Sequence, residues 1–271
     1  MIRASQRAGR LVAAVLLAGC AAPAAPAAAP PLAVSLEQSR DNENRHLLQV
    51  VLDNPGPDAV EVVRLQLRGG GFVDVAPTVR EDVLRPGRRL AFPVAYGRAD
   101  CDRTTPAQVV LGHREGAALR EVVLDVPDDD PLLPRLRRRE CDLAALADAA
   151  ALSFAEHAWE RTGRTATGRA VVAREQGREP VELASLEGTV VLTLRAGGLP
   201  AVLADQDRLG VPVTVHASRC DVHALTESKR SYDFLAAVRR GDGELLTVTV
   251  RPGPRGLALL ERLLADTCAP A

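Results

Sequence analysis

His216, Cys220 and His223 fall within eight residues, and Asp221 stands beside the cysteine. Imidazole and thiolate are good ligands for zinc or copper, so this segment is the first place to look for chemistry. The spacing is not that of a zinc finger, and a Cys220 held in a disulfide offers no thiolate. His216 and His223 therefore stand as candidates for a metal or small ligand, against a plainer reading as exposed loop histidines. No metal or other cofactor is assigned. Asp100-Cys101-Asp102 and Asp128-Asp129-Asp130 supply the hard oxygen ligands that suit calcium, but without EF-hand spacing. The second triplet is better explained as the start of a helix, with acids at the positive end of the macrodipole and Pro131 in the first turn.

Other residue types with chemical potential are scattered. Ser153, Ser185, Ser218, Ser228 and Ser231 sit in no nucleophile-elbow context, and Gly69-Gly70-Gly71 lacks the helix and lysine of a phosphate-binding loop. Arg135-Leu136-Arg137-Arg138-Arg139 is a basic run that suits anionic headgroups or cell-wall polymer, and equally the solvated face of a short helix. Trp159, the single tryptophan, is read as core or inter-domain packing in an early strand of the second half. Nothing rises to a defined activity, and the chain is not expected to be an enzyme.

Composition agrees. The 271 residues carry a formal net charge of −1, so no strong field points to nucleic acid. Lys229 is the only lysine, and arginine supplies the remaining positive charge. The apolar fraction of 46% is that of a globular protein with real cores.

The N-terminus carries an address. Arg3, Arg7 and Arg10 precede an apolar run, Leu11-Val12-Ala13-Ala14-Val15-Leu16-Leu17, too short to span a bilayer as a helix. Leu17-Ala18-Gly19-Cys20 then resembles the lipobox of bacterial lipoproteins. The resemblance covers about the first twenty residues. It implies that residues 1–19 are a cleaved signal peptide and that Cys20 becomes the acylated N-terminus at the extracytoplasmic face of the bacterial cell membrane. Removing the three arginines leaves 31 basic residues against 35 acidic. Residues 20–32 are the lipidated cysteine and an Ala/Pro-rich tether, which at about 3.1 Å per residue reaches roughly 37 Å.

The elements that must position these side chains recur. Phe92-Pro93-Val94-Ala95-Tyr96-Gly97-Arg98-Ala99-Asp100-Cys101-Asp102 returns without a gap as Val211-Pro212-Val213-Thr214-Val215-His216-Ala217-Ser218-Arg219-Cys220-Asp221. Each copy reads as a core strand running into a cysteine-bearing loop. Upstream, 47–52 and 60–67 are strands separated by the turn formers Asp53-Asn54-Pro55-Gly56-Pro57. Phe72–Val75 reads as another short strand. Residues 108–111 and 119–126 read as a hairpin across Gly112–Ala117. A helix over 132–140, kept short by Pro134, delivers Cys141; residues 142–150 read as a linker. Val50-Val51 aligns with Val171-Val172 at an offset of 121, Cys101 with Cys220 at 119 and Cys141 with Cys268 at 127. Offsets that drift in loops while strand patterns hold indicate duplication.

Setting Cys20 aside leaves four cysteines, which allow three pairings. Equivalence of the halves selects Cys101–Cys141 and Cys220–Cys268, each worth about 4 kcal/mol in the chain-entropy model. The expected fold is all-β dominated: two tandem immunoglobulin-like β-sandwich domains, 33–142 and 143–271, each ending in a short disulfide-tied helix. The expected function is an envelope-anchored, non-catalytic binding or interaction module. Its partners would be the membrane, through the lipid, and an envelope protein or polymer. The alternative is a metal- or small-ligand-binding lipoprotein centred on His216 and His223.

Overall fold

The structure, a computed structural model, describes residues 31–39, 42, 45–228 and 230–269. The signal segment, Cys20 and most of the tether lie outside the described residues. Antiparallel β structure dominates. In the first half, β1 (Ala33–Glu37), β2 (Leu47–Asp53) and β5 (Arg89–Ala95) form one sheet, ordered β1-β2-β5. A second sheet, β4-β3-β6-β7, is built from β3 (Val60–Arg68), β4 (Thr78–Leu84), β6 (Gln108–Glu115) and β7 (Ala118–Asp125). Inward residues of both sheets, among them Leu48, Val50, Leu52, Val62, Leu65, Phe92, Val94 and Leu111, make one core.

In the second half the order repeats. β8 (Ala150–Phe154), β10 (Thr165–Arg174) and β14 (Arg208–Ala217) reproduce β1-β2-β5, with β12 (Leu192–Ala196) added on β14 and β9 (Glu160–Thr162) on β10. β13 (Ala201–Leu203), β11 (Val181–Glu187), β15 (Phe234–Arg240) and β16 (Leu246–Val250) reproduce β4-β3-β6-β7. The second core includes Val172, Leu183, Val211, Val213, Phe234 and Leu260. Even the irregularities correspond: β3 shifts register between Val62 and Arg64, and β11 between Leu183 and Ser185. A bulge bends a strand and redirects its side chains, so its recurrence at the same place is a structural signature rather than a defect.

The pairing also corrects the alignment of the halves. Val50 lies opposite Phe92, and Ala170, not Val171, lies opposite Val211. The offset from β2 to β10 is therefore 120, one less than the Val-Val match implies. Side chains alternate with period two, so the one-residue slip would have turned the core face outward. Pro93 sits on a strand at its sheet's edge, and Pro212 just beyond the point where β12 stops pairing, so neither interrupts a central ladder.

Several expectations change. Phe72–Val75 forms only an isolated bridge, Phe72 to Ala99. The preceding glycines all have positive φ, and a Cβ on Gly71 would lie 2.3 Å from Cδ of Arg137; the chain here is shaped to admit a helix, not to pair. β4 carries almost no apolar alternation because it is an exposed edge. The β6–β7 hairpin is tighter than expected, with Gly116 at φ 60° and Glu115 opposite Ala118. Trp159 follows a 3-10 turn at Glu156–Ala158 rather than lying in a strand; it is buried against Phe154 and the backbones of Gly168 and Gly256.

The largest difference is in the helices. α1 runs Leu132–Ala149 without a break. Pro134 occupies its first turn, where the missing N–H would have had no intrahelical acceptor, so it does not shorten the helix. Leu132, Leu133 and Leu136 lie in the first core, Leu146 and Ala149 in the second. The expected linker at 142–150 is thus helix leading directly into β8. A short α2 (Val222–Glu227) has no counterpart in the corresponding 102–107 segment of the first half, and α3 (Pro254–Cys268) is the last described element.

Candidate functional site

The loop after β5 is fastened to the side of α1. Cys101 and Cys141 are joined, with Cα atoms 5.7 Å apart. Glu140 Oε2 accepts the Ala99 N–H at 3.0 Å, and Arg137 donates to the carbonyls of Asp100 and Cys101 at 2.9 and 2.8 Å. Asp100 Oδ1 accepts the Asp102 and Arg103 N–H groups, both at 3.1 Å. Asp130 Oδ1 accepts the Leu132 N–H at the start of α1, and its Oδ2 the Leu36 N–H of β1 at 3.2 Å. The Asp100 and Asp130 carboxylates are thus engaged by backbone donors. Of the basic run, Arg137 is turned inward as a clamp, whereas Arg135, Arg138 and Arg139 are exposed.

Between this loop and α1 lies a cleft of about 650 Å³. The hydroxyls of Thr104 and Thr105, the carboxylates of Asp128 and Asp142, and the Arg138 guanidinium line it, over an apolar floor that includes Val126 and Leu133. Its walls are pinned by the disulfide and the Arg137 clamp, so it is formed in advance of any ligand, as binding clefts usually are. Sequence spacing could not reveal it. Thr104 and Thr105 lie more than twenty residues from Asp128, and only the packing of α1 against the glycine-rich turn brings them together.

The second disulfide, Cys220–Cys268, has Cα atoms 5.1 Å apart and ties the loop after β14 to the last residue of α3. His216 is half-buried within β14, paired with Thr165 and Thr193, rather than in a loop. His223 is exposed on α2. Between them Cys220 is oxidised, and Asp221 caps α2 by accepting the Ala224 N–H at 3.0 Å. The Ala224 N–H first, and then the Arg219 guanidinium, hold the Asp221 carboxyl below the usual carboxylate range. Among the described residues, no group of three His, Cys, Asp or Glu side chains is placed to hold a metal ion.

No protein-family model matches the chain. A stretch of 121 residues, 44% of the chain, is 29% identical to 1-deoxy-D-xylulose-5-phosphate synthase of Pelotomaculum thermopropionicum, of which it spans 19%. Among solved structures, the exo-chitosanase of Amycolatopsis orientalis aligns over 81% of this chain and 26% of its own, with 14% identity and a TM-score of 0.23. A protein of unknown function from Porphyromonas gingivalis W83 aligns over 76% of this chain and 90% of its own, with 14% identity and a TM-score of 0.23. The activated α2-macroglobulin of Escherichia coli aligns over 82% and 22%, with 12% identity and a TM-score of 0.25. TM-scores this low do not establish a shared fold.

Proposed function

We propose that the mature protein is a lipid-anchored bacterial lipoprotein on the extracytoplasmic face of the membrane, working there as a non-catalytic binding module. Residues 1–19 are its signal peptide, Cys20 its acylated N-terminus and the Ala/Pro-rich segment its tether. Two disulfides favour this address, because such bonds persist outside the reducing cytoplasm. We read the two halves as duplicated immunoglobulin-like sandwiches meeting inside α1. The recurrent three-plus-four strand order and the matched bulge favour that reading. The fourth strand pairs with the third rather than the fifth, a variation within the range of sandwich topologies.

The observation that carries the binding role is the preformed cleft between the Cys101 loop and α1. Its hydroxyl, carboxylate and guanidinium groups suit reversible recognition of a polar envelope protein or polymer. The test places a photo-crosslinking residue at exposed Thr105 in the full chain in cells, with exposed Thr193 on β12 as the control position. A discrete membrane-fraction adduct from position 105 alone is expected. In the Cys20→Ala background acylation should be lost, the protein should leave the membrane fraction and the adduct should disappear. No adduct, or the same adduct from position 193, would sink the assignment of the cleft.

A further inference from the structure

A second cleft, of about 460 Å³, lies on the other half of the molecule, where the Glu156–Ala158 turn meets the first three turns of α3. Glu156 accepts the Arg255 N–H at the N-terminus of α3, so its carboxylate is already engaged. Arg255 Nη1 lies 2.8 Å from His157 Nδ1. A guanidinium only donates, so Nδ1 of His157 is the acceptor and its proton sits on Nε2. This holds Arg255 in place without neutralising it. Arg64, Arg114, Arg161 and Arg239, by contrast, each meet a carboxylate. Arg262, two helical turns further along the same wall, has no carboxylate partner among the described residues.

The floor is apolar, formed by Trp159, Ala258 and Leu259. Trp159 Nε1 is buried against Gly256 of α3, so the indole offers the cleft its ring and not its N–H. Donors thus exceed acceptors at the mouth of the cleft: two guanidinium groups without a carboxylate partner among the described residues and an imidazole N–H, against one carboxylate already engaged by a backbone donor. What completes such a set is a ligand rich in acceptors and negatively charged. The two arginines are seven residues apart on α3, or about 10 Å along the helix, which is too far for one phosphate or carboxylate to meet both.

We infer that this cleft binds a linear polyanion, whose successive phosphate or carboxylate groups engage Arg255 and Arg262 across the Trp159 floor. The inference does not rest on the cleft beside α1 and survives its failure.

Trp159 is the only tryptophan, so its fluorescence reports occupancy of this cleft directly. The full mature chain in detergent is titrated at low salt with inorganic polyphosphate and, separately, with poly-L-glutamate. A saturable fluorescence change is expected with at least one polymer, and which one responds distinguishes a phosphate-bearing from a carboxylate-bearing ligand. R262Q should weaken binding about tenfold and R255Q/R262Q by more, since each removes a charge-assisted contact. R135Q/R139Q on exposed α1 removes the same charge elsewhere and should leave the titration unchanged. Thermal melts check that each variant is folded; R262Q, which alters an exposed side chain held by no partner among the described residues, keeps the test valid if R255Q disturbs the α3 start. No response to either polymer, or equal weakening by R135Q/R139Q, overturns the inference.

Discussion

At the scale of single residues, the two halves solve one problem with different side chains. Asn54, almost wholly buried, donates from Nδ2 to the Leu84 carbonyl at 3.0 Å and to the Asp58 carbonyl at 2.8 Å, while its Oδ1 accepts the Gly56 N–H. In the second half Arg174 donates to the Leu203 carbonyl at 3.2 Å, at the matching end of β13. Asn54 is legible in the sequence as a turn former; its service to β4 is not, because thirty residues separate donor and acceptor. Asn54→Ala removes the buried donor to the Leu84 carbonyl and the acceptor of the Gly56 N–H, and should cost about 2 kcal/mol in chemical denaturation, with no change in m-value. Asp221 makes a pH prediction. Its folded value lies below its unfolded one, so its contribution is present above the ordinary carboxylate range and is lost as pH falls through the folded value. The protection factor of the Ala224 amide should fall over that acidic window, and Asp221→Ala should abolish that fall. A protection pattern indifferent to both changes would contradict the cap.

At the scale of elements, strands with two-residue alternation or strong turn signals are readable in advance: β2, β3, β5, β14 and the β6–β7 pair. Edge strand β4 is not, since an exposed strand needs no apolar face. The length of α1 is misread because Pro134 looks like a stop, yet a proline in the first turn removes no hydrogen bond. The glycines that seat elements on one another are equally silent in sequence. A Cβ on Gly256 of α3 would lie 2.3 Å from Trp159 Nε1, and the indole is hemmed in on its other side by Gly168 of β10. Gly256→Ala should therefore destabilise the protein by about 1–3 kcal/mol as an overpacking change, despite alanine's better helix propensity. A neutral or stabilising result in thermal unfolding would mean that Trp159 shifts freely.

At the scale of the whole molecule, α1 is the member that belongs to both cores. Its first half is clamped to the first sheet pair by Cys141, Glu140 and Arg137, and its second half buries Leu146 and Ala149 in the other. The linker expected over 142–150 is instead helix to Ala149, whose backbone hydrogen bonds resist bending. Ala144 is exposed on this helix between the two sets of contacts. Ala144→Pro removes its N–H from the helix ladder and crowds the preceding turn, at a cost of about 3 kcal/mol. Small-angle scattering should then show a larger and more variable particle, whereas Ala144→Gly should leave the profile nearly unchanged. Identical profiles for wild type and Ala144→Pro would show that α1 does not set the arrangement of the halves.

Sequence alone determined the features that repeat or that are local. The duplicated Cys-Asp strands and the choice among cysteine pairings follow from equivalence of the halves, and the Cys101–Cys141 and Cys220–Cys268 bonds are formed as that equivalence requires. The β-dominated character follows from alternation and turns. Tertiary structure alone decided the one-residue register of β10, the continuity of α1 and both clefts. Each depends on which distant surfaces come into contact: register on which face meets the core, the helix on two cores bidding for one segment, and the clefts on loops held against helices from elsewhere in the chain. Periodicity carries no information about such long-range packing, so His216 and His223, close in sequence, end with an oxidised cysteine between them, while Arg255 and His157, nearly a hundred residues apart, meet.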